Sequence, residues 1–139
     1  MTEPDRRARI LHVEDEALNR ILLRAILARA TDPRIRSAIL DEAEDLAQAR
    51  AVLESEQIDL VLLDVRLPDG NGLDLVREIK ARDPNRAVLV MSASVLPAER
   101  DDAVRAGSDG FVPKPYVNAE LLETVGRLLG HVHRNDPAD

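Results

Sequence analysis

The feature that most constrains this chain is an alternation that runs from end to end. Short runs of valine, isoleucine and leucine take turns with longer segments of helical apolar spacing. Strands that recur in this way cannot pair as tight hairpins. Parallel neighbours need a crossover of a dozen residues or more, and an intervening helix supplies it. Five strand–helix units can be read, which predicts an α/β fold with a parallel sheet covered by helices on both faces. A length of 139 residues suits one such domain and lets it bury a core without disulfides or a structural metal.

The first strand is predicted at Arg9-Ile10-Leu11-His12-Val13. A helix follows in which Leu18, Ile21, Leu22, Ala25 and Ile26 recur at the spacing of one buried face. Asp32-Pro33 breaks the pattern, after which Ile35 to Leu40 reads as a second strand and Ala43 to Glu54 as a helix of strong helix formers. Ile58 to Leu63 is almost wholly apolar, as expected of a central strand covered on both faces, and it runs directly into Asp64. The loop Pro68-Asp69-Gly70-Asn71-Gly72 leads to a third helix with Leu73, Val76 and Ile79 inward, ending near Asp83-Pro84. Ala87 to Met91 is the fourth strand.

Pro97 suits the first turn of a fourth helix and Gly107 its left-handed C-terminal cap. Between them only Ala103, Val104 and Ala106 offer apolar surface, so this helix should be weakly anchored. A short strand around Gly110-Phe111-Val112 follows. Asn118 then caps a last helix whose apolar face is Leu121, Leu122, Val125, Leu128 and Leu129. Gly130 is expected to end it, which makes residues 1–130 the domain and residues 131–139 a mobile tail.

Composition excludes several classes of function. The net charge of −7 opposes nucleic-acid binding through phosphate neutralisation, and no basic cluster with interleaved aromatics offsets it. No apolar run reaches the length of a membrane span, and the N-terminal stretch lacks the pattern of a signal peptide, so a cytoplasmic location is expected. With no cysteine, disulfides and thiolate metal sites are excluded.

In open parallel sheets the working residues lie just beyond the carboxyl ends of the strands. The first strand ends at Glu14-Asp15, the third at Asp64 and the fourth at Ser92, while Lys114 follows the fifth between Pro113 and Pro115. If those strands are neighbours in that order, three carboxylates, a hydroxyl and an ammonium converge. The carboxylates repel one another and call for a hard cation, and magnesium is the oxygen-seeking ion that also accepts phosphate oxygens. A carboxylate beside that ion can attack phosphorus while the metal and Lys114 stabilise charge on the equatorial oxygens. Asp64 is the candidate nucleophile. Ser92 can donate a hydrogen bond to the same oxygens, and the small Ala93 leaves them room. Taken singly, each residue has a plainer reading: Glu14-Asp15 as a solvated turn before a helix, Ser92 as a loop serine, Lys114 as a surface lysine. His12 reads as a packed side chain, and His131 and His133 form no catalytic arrangement.

These residues, in this order and spacing, resemble the receiver domains of bacterial two-component response regulators. The resemblance rests on the acidic pair in His12-Val13-Glu14-Asp15-Glu16, on Leu62-Leu63-Asp64-Val65-Arg66-Leu67-Pro68 with Gly72 beyond it, on Met91-Ser92-Ala93, and on Phe111-Val112-Pro113-Lys114-Pro115. It implies a flavodoxin-like (βα)5 doubly wound sandwich with its five parallel strands in the order 2-1-3-4-5. It implies a stand-alone switch in which a histidine kinase or histidine phosphotransfer protein phosphorylates Asp64 with Mg2+ bound. Asp15 and Asp64 would ligate the metal directly, Glu14 through water, and Arg66 through its backbone carbonyl. A cis peptide before Pro115 would point Lys114 into the site. Phosphorylation would draw Ser92 inward and let Phe111 rotate, remodelling the face of the fourth helix, fifth strand and fifth helix for a downstream protein. The chain would be a monomer or a weak phosphorylation-dependent dimer.

The chain departs from the common family pattern at Glu14, Ser92 and Phe111, where aspartate, threonine and tyrosine are more frequent, and Arg66 and Ser94 stand where the phosphoryl lifetime is tuned. Two alternatives within the family are a receiver cut from a hybrid histidine kinase and a receiver-like scaffold that works without phosphorylation. A haloacid dehalogenase-type phosphatase is a third class, disfavoured because Arg66 stands where the second acid would be and no cap domain is present.

Overall fold

The uninterrupted apolar run that ends at Asp64 takes the centre of the sheet, as its composition requires: Leu60, Val61, Leu62 and Leu63 are wholly buried. The structure, a computed structural model, describes residues 6–93 and 96–134. The strands are β1 (Arg9–Val13), β2 (Ile39–Ala43), β3 (Leu60–Asp64), β4 (Ala87–Ser92) and β5 (Gly110–Pro113). The helices are α1 (Ala17–Ala28), α2 (Leu46–Ser55), α3 (Gly72–Arg82), α4 (Pro97–Ala106) and α5 (Asn118–Arg134). A helical turn at Pro33–Arg36 precedes β2, and a small antiparallel ribbon of Arg66–Leu67 and Gly70–Asn71 follows β3. The five main strands are all parallel in the order β2-β1-β3-β4-β5, the flavodoxin-like arrangement that the resemblance implied.

Because side chains alternate along a strand, each strand feeds two cores. On one face Val61 and Leu63 of β3 and Val88 and Val90 of β4 pack with α2, α3 and α4. On the other, Leu60, Leu62, Leu89 and Met91 pack with Leu23 and Leu27 of α1 and with Leu121, Val125 and Leu129 of α5. The anchoring is uneven. α5 buries a full stripe, whereas α4 buries only Ala103 and Ala106, leaves Val104 exposed and has no side-chain cap at Leu96. Weak anchoring of α4 was expected from the sequence, as were Pro97 in its first turn and Gly107 at its end, where φ is 104°.

Four expectations need correction. In α1 the residues predicted to face inward are largely outward: Leu18, Ile21 and Leu22 are 65%, 53% and 49% exposed, Ala25 is also exposed, and only Ile26 is partly covered. Leu23 and Leu27 face the sheet instead. The helix is apolar on more than one side, so two overlapping sets of i, i+4 positions both fit a buried face and spacing alone cannot choose between them.

The second strand lies four residues later than predicted. Asp32 accepts a hydrogen bond from Arg34 N and Pro33 occupies the first helical position, so Ile35 is buried in a helical turn. β2 is an edge strand whose Asp41 and Glu42 pair with Arg9 and Arg24 at 2.7 Å each, and those acids obscured its pattern. The helix after it starts at Leu46, because Asp45 accepts from Gln48 N and sets the cap there. Finally, α5 passes through Gly130 to Arg134, and Asn118 is its first helical residue, with Val117 O accepting from Leu121 N. One internal glycine costs a helix only about 1 kcal/mol relative to alanine. Of the predicted tail, residues 135–139 lie outside the described residues.

Candidate functional site

The sheet order brings the ends of β1, β3, β4 and β5 side by side, and the residues beyond those ends form one cluster. Glu14 N donates to Ala43 O at 2.9 Å, extending the β1–β2 ladder, and the Glu14 side chain is 1% exposed. Ligand atoms of Glu14, Asp15 and Asp64 all lie within 4.8 Å of one another. Lys114 N donates to Ser92 O at 2.7 Å, which carries the β4–β5 pairing one residue further and delivers the lysine to the site. Its Nζ donates to Glu14 Oε1 at 2.5 Å and to Asp64 Oδ2 at 3.2 Å. The Lys114–Pro115 peptide is cis, as the resemblance implied.

The electrostatics follow from this crowding. Burial raises the Asp64 carboxyl above its usual pKa, the neighbouring Glu14 raises it further, and Lys114 only partly offsets them. Burial pulls Lys114 down, but its bonds and charge contacts to Glu14 and Asp64 outweigh that and hold the ammonium above its ordinary value. His12, enclosed one layer below and near the cations of Lys114 and Arg20, falls to about 3, chiefly through burial. It is therefore neutral, and its Nδ1 has no partner among the described groups. A cluster of hard oxygen donors with one ammonium and a raised carboxyl is what a divalent cation such as magnesium suits. The donor set fits such an ion.

The backbone around Asp64 is held by a close approach. Gly72 N donates to Val65 O at 2.6 Å, and a β-carbon on Gly72 would stand 2.2 Å from Asp64 O, so only glycine fits there. Asn71 caps α3 by accepting from Leu73 N at 2.8 Å. Asp69 reaches across to accept from Leu46 N and Ala47 N at the start of α2. The loop after β3 is thus tied at both ends. Arg66 is exposed, and its N donates to Asp64 Oδ1 at 3.3 Å.

Ser92 is 3% exposed, and its hydroxyl donates to the Glu99 carboxylate on the first turn of α4. Phe111 is half-buried, with the Arg100 guanidinium 5.8 Å from its ring centre. Beside the cluster an open groove is lined by Leu22 and Ile26 of α1, by Lys114, Tyr116 and Leu122, and by Asp64 at its end. Sequence reasoning assembled Glu14, Asp15, Asp64 and Lys114 as found. It missed Glu99, Arg100 and Asp69, whose roles depend on how α2 and α4 are set against the sheet. Gly72 was read only as a loop residue. The proline-bounded start of α4 was the one signal that could have drawn attention to Glu99.

A doubly wound parallel sheet with an acidic triplet, a lysine and a hydroxyl at the carboxyl ends of its central strands defines a class of signalling domain. Residues 10–126 match the response regulator receiver domain, and the chain belongs to that family. It is 32% identical over 123 residues to protein CcdB of Bacillus subtilis, covering 88% of this chain and 98% of that protein. It is 29% identical over 120 residues to the chemotaxis protein CheY of Thermotoga maritima, covering 86% and 96%. Among solved structures, the signal receiver domain of an HD domain-containing protein from Pseudomonas fluorescens Pf-5 superposes with a TM-score of 0.84 at 25% identity, covering 94% of this chain and all of that one. Receiver domains are signalling modules of two-component systems rather than turnover enzymes. Among the described residues, no helix is long and apolar enough to cross a membrane.

Proposed function

We propose that this chain is a single-domain response regulator switched by phosphorylation of Asp64. The observation that carries the reading is Asp64 at the end of the central strand, 3.2 Å from Lys114 and within one acidic triplet with Glu14 and Asp15. Asp64 Oδ attacks the phosphorus of a phosphohistidine on a histidine kinase or phosphotransfer protein. A P–O bond forms, the P–N bond breaks, and the imidazole leaves. Asp15 and Asp64, with Glu14 through water and the Arg66 carbonyl, would hold magnesium, whose positive charge would offset that on the phosphoryl oxygens. Lys114 exchanges its carboxylate contact at Asp64 for the new phosphoryl group. Water later hydrolyses the acyl phosphate and restores Asp64.

The readout follows from what α4 lacks. An element that buries two alanines is repositioned at low cost. Ser92 moves toward the phosphoryl group, Phe111 follows, and the α4-β5-α5 face presents a changed surface to a downstream protein. The exposed apolar stripe of Leu18, Ile21 and Leu22 on α1 reaches the groove shared with Asp64 through Leu22, which offers a protein phosphodonor a surface on which to rest. The test is intact-mass analysis after incubation with acetyl phosphate and magnesium. Wild type should gain one phosphoryl group, lost on chelation, and Asp64→Asn none. An unlabelled wild type, or equal labelling of Asp64→Asn, would rule the reading out.

A further inference from the structure

We infer that Glu99 is a positioning residue for Ser92: it holds the serine hydroxyl on the α4 side until a phosphoryl group at Asp64 competes for it. The inference rests on the reading of Asp64 as phosphoacceptor and names the restraint that phosphorylation has to overcome. A serine hydroxyl carries one proton, so it can donate to one acceptor at a time. In this structure that proton goes to the Glu99 carboxylate, seven residues along the chain and on a different element. Ser92 is almost wholly enclosed and Glu99 half-buried, so water competes little for the bond. Donation to a phosphoryl oxygen on Asp64 and donation to Glu99 exclude one another.

A second observation places the same helix turn over the other moving side chain. Arg100, next to Glu99, lies across the Phe111 ring. Two consecutive residues of α4 thus hold β4 through a hydroxyl and β5 through a ring, while the helix itself buries only Ala103 and Ala106. Its attachment at this end therefore depends on these two polar contacts more than on apolar area. When Ser92 turns its proton to a phosphoryl group, α4 loses the first of them, and the chemical event becomes a change in how the helix is held. Coupling of this kind is reciprocal: whatever Glu99 contributes to the resting state, the phosphoryl group must overcome.

The experiment is a double-mutant cycle read by beryllium fluoride, a stable mimic of the acyl phosphate, with magnesium. Binding is followed through Tyr116, the only tyrosine, which lines the groove beside Asp64. Glu99→Ala should tighten binding about tenfold, the worth of a hydrogen bond to a charged acceptor at a half-exposed position. Glu99→Gln, which keeps an acceptor and the helix start but not the charge, should show a smaller gain of about threefold. In a Ser92→Ala background Glu99→Ala should change binding less than about twofold, because the proton it competes for is absent. An equal gain in that background would mean that removing a negative charge near an anion is the whole effect, and would overturn the inference. Unchanged or weaker binding by both folded Glu99 variants would overturn it as well. Failure of wild type to bind the mimic would instead remove the Asp64 reading, and this inference with it.

Discussion

Replacing Gly72 with alanine tests whether the backbone behind Asp64 is as closely held as the structure shows. The new methyl would stand 2.2 Å from Asp64 O and 3.1 Å from Asp64 C, well inside contact distance and against backbone that cannot rotate away. Relief requires α3 to slide or the Asp64–Val65 peptide to turn, and overpacking of this kind costs about 1–3 kcal/mol. Alanine at the start of a helix returns roughly 0.5–1 kcal/mol by restricting the unfolded chain. The net expectation is a loss of about 1.5 kcal/mol, or about 6 °C in Tm for a domain of this size. Urea unfolding at neutral pH measures the first and a thermal melt the second. Because the displaced carbonyl belongs to the proposed phosphoacceptor, labelling by acetyl phosphate should slow in the same variant. A Gly72→Ala protein as stable as wild type and labelled at the same rate would refute the claim that this contact positions Asp64.

Three further outcomes are expected. His12 has its folded pKa lowered to about 3 from a usual 6.5, so the stability tied to its neutral form is complete above pH 6.5 and is lost as pH falls toward 3. Unfolding free energy should therefore drop by about 1.4 kcal/mol per pH unit on this account below pH 6. The drop should flatten in His12→Leu; an unchanged slope would contradict it. Magnesium at about one hundred times its Kd should add about 2.7 kcal/mol of stability to wild type and far less to Asp15→Asn. Equal thermal shifts in the two proteins would exclude Asp15 as a ligand. Ile21→Asp, on the exposed stripe of α1, should leave stability within about 0.5 kcal/mol and acetyl phosphate labelling intact. It should slow transfer from a phosphohistidine protein about tenfold or more, the scale of losing one well-packed apolar anchor; undiminished transfer would move the donor surface elsewhere.

What the chain disclosed in advance divides along physical lines. The strands and the four acidic and basic groups at their ends were legible because a central parallel strand has to be apolar throughout, whereas the order of the strands in the sheet came only from the family resemblance. Leu60 to Leu63 therefore announced both the sheet and the position of Asp64. The face of α1 was misread because Leu18, Ile21, Leu22, Leu23, Ile26 and Leu27 satisfy two helical frames, and only packing against Leu62 and Val125 selects the second. β2 was displaced because Asp32 and Pro33 start a helical turn locally, while an edge strand with Asp41 and Glu42 has little pattern to show. The Ser92–Glu99 bond and the contact of Gly72 with Asp64 O join elements whose relative placement no periodicity encodes. They are tertiary facts, and they bear most on how the switch is held.

The central claim is chemical and has a direct test. After labelling with acetyl phosphate and magnesium, borohydride reduces an aspartyl phosphate to homoserine, and peptide mass spectrometry locates that residue. Homoserine is expected at position 64 and nowhere else, and is expected to be absent when magnesium is chelated. Homoserine at position 15, or a phosphoryl group found on a histidine with position 64 unmodified, would contradict it.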